Sequence, residues 1–342
     1  MEILTNPQQS VTGSSNWQQL VKTALRCPKT LLAELELDFL DQELPAEALA
    51  FPTFVPQPYL NRIRKSDPSD PLLRQVLPLA AEGETPAGFV KDPLGEQAAT
   101  VKDGLIQKYK KRVLVIASAA CAINCRYCFR RHFPYQTAAL GMERWQEIIE
   151  TIDADRSLNE VILSGGDPLM MTDEKLEKVI GMIAELPHIE RLRIHTRLPI
   201  VIPQRVTDRL LELLSQFHES KPGRQVIVVV HANHGNEIDE EVACALRHMG
   251  ASTTQILNQS VLLKSVNDDA ASLIDLSQRL LQCGVLPYYL HQLDPILGTA
   301  HFHVAIEAGR ELIEAMRSEL PGFAVPRYVQ ELAGEPSKTV LA

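Results

Sequence analysis

Residues 111–128 read KRVLVIASAACAINCRYC, a β-branched apolar run that ends in three closely spaced cysteines. The run 111–118 has the length and composition of a buried strand. Cys121, Cys125 and Cys128 then fall on the loop at its C-terminal end. Downstream, EVILSG, RLRIHT, QVIVVVH, TTQILNQ and LPYYLHQ repeat the strand pattern, giving six candidates. Amphipathic segments separate them, among them MERWQEIIETI, DEKLEKVIGMIAEL, VTDRLLELLSQF, EIDEEVACALRHM and DAASLIDLSQRLLQC. Strand starts recur at the length of a βαβ unit, so the class is α/β with parallel strands and covering helices. Periodicity alone leaves a doubly wound sheet and a full or partial barrel both open. In either, ligands gather beyond the C-terminal strand ends, where the cysteines lie.

Upstream, residues 1–95 differ: two short helical patterns (17–25 and 30–37) precede the proline-studded FPTFVPQPYLNRIRKSDPSDP. They read as a mainly helical N-terminal subdomain, followed by the α/β unit (96–325) and a C-terminal segment (326–342). The 342 residues, 45% hydrophobic, suffice for one large core. A net charge of −9 argues against a nucleic-acid or anionic-membrane partner. Six cysteines are too few and too uneven to staple the chain, which suggests a reducing cytoplasm. The first residues carry no basic start and apolar run, and no stretch reaches membrane-span length. Cys27, Cys244 and Cys283 fall in helical patterns and read as inert core residues.

A closed zinc site needs four ligands, and His132 is the candidate fourth beside the three cysteines. Alternatively, three thiolates on a 4Fe-4S cluster leave one iron open to an external ligand. The Cys-x3-Cys-x2-Cys spacing, with aromatic Tyr127 before the last cysteine, resembles the radical S-adenosylmethionine (SAM) superfamily. That resemblance implies a partial (β/α)6 TIM-like barrel, SAM chelated by the open iron, and a 5′-deoxyadenosyl radical.

The second strand ends in Ser164, Gly165, Gly166 and Asp167. In isolation this is a βα turn capped by Asp167. It also resembles the Gly-Gly-Glu/Asp element that receives the SAM amino group. HANHGNE, at the end of the fourth strand, is compatible with a metal or with hydrogen bonds to a ribose. By resemblance, His231 and Gln259 belong to the SAM side.

The stretch 109–135, together with SGGDPL, NQSVLL, PYYLHQLD and GEPSK, is specifically similar to the lysine 2,3-aminomutase family, above all its short forms. Those forms supply (R)-β-lysine for modification of elongation factor P. The resemblance implies pyridoxal 5′-phosphate (PLP) held as a Schiff base by Lys338, with its phosphate on Lys108, Tyr109 and Arg112. Lys110 and Lys111 stand where the long forms have Pro-Asp. The substrate carboxylate falls to Arg130, whereas Arg131 reads as solvated. Asp294 and Glu331 take the lysine ammonium, Glu331 replacing an Asp of the long forms. The long forms carry a cysteine-rich zinc tail and the sequence here stops at Ala342, so no structural zinc is expected.

The implied activity is isomerisation of L-lysine to β-lysine. The adenosyl radical takes hydrogen from C3, the amino group moves from C2 to C3, and SAM is regenerated. Expected partners are L-lysine, a flavodoxin- or ferredoxin-type electron donor, an indirect link to elongation factor P and its lysyl ligase, and a second copy of the chain in a homo-oligomer. Rivals are an enzyme of the same class acting on glutamate or arginine or giving the other β-lysine enantiomer, and a zinc-stabilised module using RYCFRRHFPY as an RNA surface.

Overall fold

The computed structural model describes residues 17–45, 51–134 and 141–342. The extreme N-terminus, on which the lack of a leader was read, lies outside them. Ten strands form one sheet in strict sequence order: β1 (Thr100–Lys102), β2 (Leu105–Ile106), β3 (Arg112–Ser118), β4 (Glu160–Gly165), β5 (Arg191–Thr196), β6 (Gln225–Val230), β7 (Gln255–Val261), β8 (Leu286–His291), β9 (Arg327–Gln330) and β10 (Thr339–Val340). Neighbours from β3 to β9 pair in parallel. β2 and β10 pair antiparallel at the two flanks.

A doubly wound sheet reverses its strand order at a switch point. This sheet never reverses, which is the winding of a barrel. In a flat sheet, seven inter-strand steps would hold β2 and β9 roughly 30 Å apart. Yet Lys108, just after β2, reaches Glu331, just after β9, at 2.8 Å. The sheet is therefore curled until its flanks meet, while β1 and β10 remain unpaired with each other. It is a partial barrel whose seam is bridged by side chains.

The alternation within strands separates the two faces. Val113, Val115, Val161, Leu163, Leu192, Ile194, Val226 and Val228 join one core with Trp145 and Ile148 of α3 (Met142–Ala154), Leu176 and Val179 of α4 (Asp173–Ala184), Leu213 and Phe217 of α5 (Asp208–Glu219), and Val242 and Leu246 of α6 (Glu240–Ala251). A second cluster joins Leu290 and Tyr328 to Leu273 of α7 (Ala270–Gln282) and Ile313 of α8 (Ile306–Glu319). Thr172, Thr207, Asp239 and Asp269 cap α4 to α7 by accepting backbone N–H groups. Each such cap contributes about 1 kcal/mol. The alternate strand residues, among them Arg193, His195, Gln259, Tyr289 and His291, face the lumen instead.

Residues 17–45 and 51–83 carry short helices, including α1 (Trp17–Lys22) and α2 (Pro28–Glu34), here numbered first in the chain. Their apolar side chains, Leu31, Leu32, Tyr59 and Leu72 among them, belong to the barrel's own core. The N-terminal segment thus packs directly on the barrel. No helix among the described residues is long and apolar enough to cross a membrane.

Candidate active site

The cysteine loop is fixed from two sides. Asn124 N donates to Phe54 O at 3.1 Å and Arg126 N to Gln75 O at 2.9 Å, tying it to the N-terminal segment. On the barrel side, Gly166 N donates to Ser118 O and Asp167 N to Ala120 O, both at 2.8 Å. These contacts explain the two glycines. A Cβ on Gly165, whose φ is +118°, would lie 2.6 Å from Ser118 O, and one on Gly166 would lie 2.4 Å from Ala120 O. The glycines admit the cysteine-loop backbone, where the sequence suggested close approach of a ligand.

Cys121, Cys125 and Cys128 are unpaired thiols at this loop. Burial pushes Cys128 up to about 11 and Cys121 well up, and the neighbouring sulfurs push both the same way. Such thiols stay protonated until a metal takes the sulfur, which suits ligands and not a free nucleophile. Among the described residues, no three His, Cys, Asp or Glu converge tightly enough on a single ion. Three thiols and no fourth ligand from the same loop are the donor chemistry that a 4Fe-4S group with one open iron takes. His132, the candidate zinc ligand, contacts Leu297 O at 3.1 Å.

Beside the loop, His231 Nε2 lies 2.8 Å from the Tyr127 hydroxyl, and the two rings stack at 5.6 Å. Burial, then Arg197, lowers this histidine to about 3, so it stays neutral. Gln259 lies on the lumen face of β7, paired with Tyr289 across to β8. Asp167 is fully engaged within the protein. It accepts from Leu169 N, Thr196 Oγ1, Arg197 N and Leu198 N, at 2.7 to 3.0 Å. Its carboxylate welds the turn after β4 to the turn after β5, which makes it a positioning group.

At the seam, the hairpin of β9 and β10 pairs Gln330 with Thr339, setting Glu331 and Lys338 opposite each other. They form an ion pair. Lys108 bridges Glu331 at 2.8 Å and Glu96 at 3.4 Å, and Glu96 in turn receives both Nε and Nη2 of Arg130, at 2.8 and 2.7 Å. A chain of alternating charge therefore runs from Lys338 to Arg130. Burial alone would raise Glu331, but Lys338 and Lys108 hold it down to about 2. Asp294, following β8, is lifted to about 7 by burial and then by Glu331. Burial and Glu331 raise the Tyr109 hydroxyl, and the Arg112 guanidinium lies 4.6 Å over the Tyr109 ring.

The lumen beside Lys338 holds two polar atoms shut from water and without a partner among the described residues, His195 Nε2 and His291 Nε2. Burial keeps both rings neutral, with His291 at about 3, and Lys338 pushes in the same direction. Orphaned neutral imidazoles next to an amine, two cations and a tyrosine fit a flat polar aromatic with an anionic arm. PLP answers that description.

The site thus gathers Lys108, Tyr109, Arg130, Asp294, Glu331 and Lys338, with Arg112 against Tyr109, in one chamber. Arg130 connects this group to the turn at Ser164 and Gly165 beside the cysteine loop, where His231 stacks on Tyr127. Ser164 Oγ accepts from Arg130 Nη1 at 3.0 Å and links the two parts. Three expectations are corrected. The Arg131 side chain is only 4% exposed, its guanidinium serving Glu82 at 2.6 Å and Gly298 O at 2.8 Å. Arg126 binds the same Glu82, so the arginines before and after the last cysteine face inward and offer no RNA surface. Cys27 and Cys244 are exposed, one at the N-cap of α2 and the other on the outer side of α6; only Cys283 is buried. Glu96, Gln75 and Arg197 carried no signal in the sequence. Glu96 is bound by Arg130 from 34 residues away, Gln75 binds Glu237 across 162 and Arg197 binds Gln75 across 122.

A profile of the Radical SAM superfamily matches residues 115–257. An L-lysine 2,3-aminomutase of Haemophilus influenzae is 44% identical over 98% of both chains. That of Escherichia coli is 42% identical over 95% of this chain and 94% of its own, and that of Clostridium subterminale 35% identical over 95% and 77%. Membership implies a 4Fe-4S cluster, SAM and PLP. With three thiols at the barrel mouth and a lysine ringed by carboxylates below them, the chain belongs to the L-lysine 2,3-aminomutase family of radical SAM enzymes.

Proposed function

We propose that this isomerase converts L-α-lysine to (R)-β-lysine with the help of PLP and that the product serves the modification of elongation factor P. The convergence of Lys338, Glu331, Lys108 and Asp294 at the seam, in the chamber that Arg130 connects to the turn beside the cysteine loop, carries the reading. Identity supports the short-form reading: 44% and 42% to the Haemophilus and Escherichia relatives against 35% to the Clostridium one.

In this reading Cys121, Cys125 and Cys128 hold three irons, and Ser164, Gly165, Gly166, His231 and Gln259 line the SAM side. Asp167 keeps that turn in place. Lys338 binds PLP, and Lys108, Tyr109 and Arg112 donate to its phosphate. When bound, PLP supplies an imine nitrogen able to migrate between adjacent carbons. The chain's residues orient the substrate. Arg130 takes the α-carboxylate in exchange for part of its contact with Glu96. Asp294 and Glu331 take the side-chain ammonium, so the two substrate ends fix C3 toward the cluster. The stacked Tyr127 and His231 and the buried Arg130 keep water from the radical's path. The division into an N-terminal segment to about residue 95, a barrel to 325 and a PLP-bearing tail follows the same assignment. The cytoplasm, a flavodoxin- or ferredoxin-type electron donor and a homo-oligomer belong to this reading as well.

The test is anaerobic incubation of cluster-reconstituted protein with L-lysine, SAM, PLP and dithionite, followed by chiral chromatography. Wild type should yield (R)-β-lysine, and Lys338→Ala none. SAM cleavage without β-lysine would overturn the lysine assignment while leaving the radical one standing.

A further inference from the structure

Arg197 leaves the end of β5 and turns under the cysteine loop, its side chain 8% exposed. Its Nη1 donates to Cys125 Sγ at 2.6 Å. Its Nη2 donates to Glu237 Oε2 and Gln75 Oε1, both at 2.7 Å. The guanidinium also lies 5.7 Å from the Tyr127 ring centre and 5.6 Å from that of Tyr59. Glu237 is fully buried and equally fixed: Asn233 N, His234 N and Gln75 Nε2 donate to its other oxygen at 2.8, 3.2 and 3.1 Å. The cation and its counter-ion therefore hold set places, with the cation on the sulfur side.

A buried ion pair is a poor way to gain stability, because apolar packing of the same volume serves as well or better. A guanidinium aimed at a thiolate does something packing does not. Hydrogen bonds and positive charge at a cluster sulfur favour the form with one more electron, and burial strengthens the effect. We infer that Arg197, anchored by Glu237 and Gln75, sets the reduction potential of the 4Fe-4S cluster. The step concerned is uptake of one electron by the 2+ cluster to give the 1+ cluster. The electron comes from an external low-potential one-electron donor, and no bond forms or breaks. Arg197 raises the midpoint, and Glu237 offsets part of that rise. Arg197 is a positioning and tuning residue, and the inference does not depend on which amino acid is isomerised.

The experiment compares wild type, Arg197→Gln, Arg197→Lys and Glu237→Gln after anaerobic reconstitution. Iron and sulfide are counted, and the midpoint is read by potentiometric titration of the reduced cluster's EPR signal. With cluster content equal to wild type, Arg197→Gln should shift the midpoint to more negative values and Glu237→Gln to more positive ones, with Arg197→Lys between wild type and Arg197→Gln. Opposite shifts are the outcome that loosened packing does not produce. Shifts of one sign in both glutamine variants, or none, overturn the inference. Should Arg197→Gln fail to keep its iron, the midpoint of the nearly isosteric Glu237→Gln decides alone. A wild type that binds no cluster would instead overturn the cluster assignment itself.

Discussion

Burial beside Glu331 lifts the Asp294 carboxyl from 3.8 to about 7, and this has two consequences of opposite kind. Binding a lysine ammonium, which stays charged up to about pH 10, requires the carboxylate. Below pH 7 the free enzyme must first release that proton. Affinity for lysine should therefore rise as pH climbs from 6 to 8 and then level, with proton release on binding seen by calorimetry in buffers of different ionisation enthalpy. Asp294→Asn should flatten this profile and weaken lysine about tenfold or more, since a hydrogen bond to a charged group contributes about 1.5–3 kcal/mol. Folding responds the other way. A carboxyl whose folded pKa is raised adds stability that is present below pH 3.8 and lost as pH rises through about 7. Without substrate, Asp294→Asn should thus melt higher than wild type at pH 8, with the gap closing toward pH 4. If the variant melted lower at pH 8, the carboxyl would not be strained by its place in the chamber. Under the proposed role of Asp294, function opposes stability at this residue.

The turn that follows β4 shows why glycine is needed where a strand meets the cysteine loop. A methyl on Gly166 meets three backbone atoms of Ala120 within 3 Å, and backbone cannot step aside as a side-chain tip would. Gly166→Ala should cost roughly 1–3 kcal/mol and lower iron incorporation, because the displaced segment leads straight into Cys121. Gly181 in α4 is the contrast, with no atom within 4 Å of an added Cβ. There alanine should stabilise by up to about 1 kcal/mol and leave iron content alone. Equal iron loss in both variants would remove the argument. At this scale much was legible. The six quoted strands match β3 to β8 because each has six or seven residues with recurring buried apolar positions and a crossover helix behind it. The flanks were not legible: β1, β2, β9 and β10 have two to four residues each, too few for alternation to register.

The curl of the sheet is a property of the whole chain, and no local pattern announces it. Nor could spacing foretell that Lys108 would meet a residue 223 positions away, or that Arg130 would be held by Glu96. Resemblance supplied Lys338, and the β9–β10 hairpin supplies the physical reason for its place. The seam is closed by charged side chains where barrel strands would share hydrogen bonds, so β9, β10 and the entry to β3 are the least anchored parts of the sheet. Under the proposed assignment PLP, held by Lys338 on one flank and by Lys108, Tyr109 and Arg112 on the other, would span that seam. Its binding should protect both flanks together in hydrogen exchange, residues 105–118 and 327–340, with little change in β5 or β6. At one hundred times its dissociation constant it should add about 2.7 kcal/mol to stability. In Lys338→Ala the link to the hairpin is cut, and protection should fall on residues 327–340 while 105–118 keep part of theirs. Protection confined to one flank in wild type would place the cofactor elsewhere than across the seam.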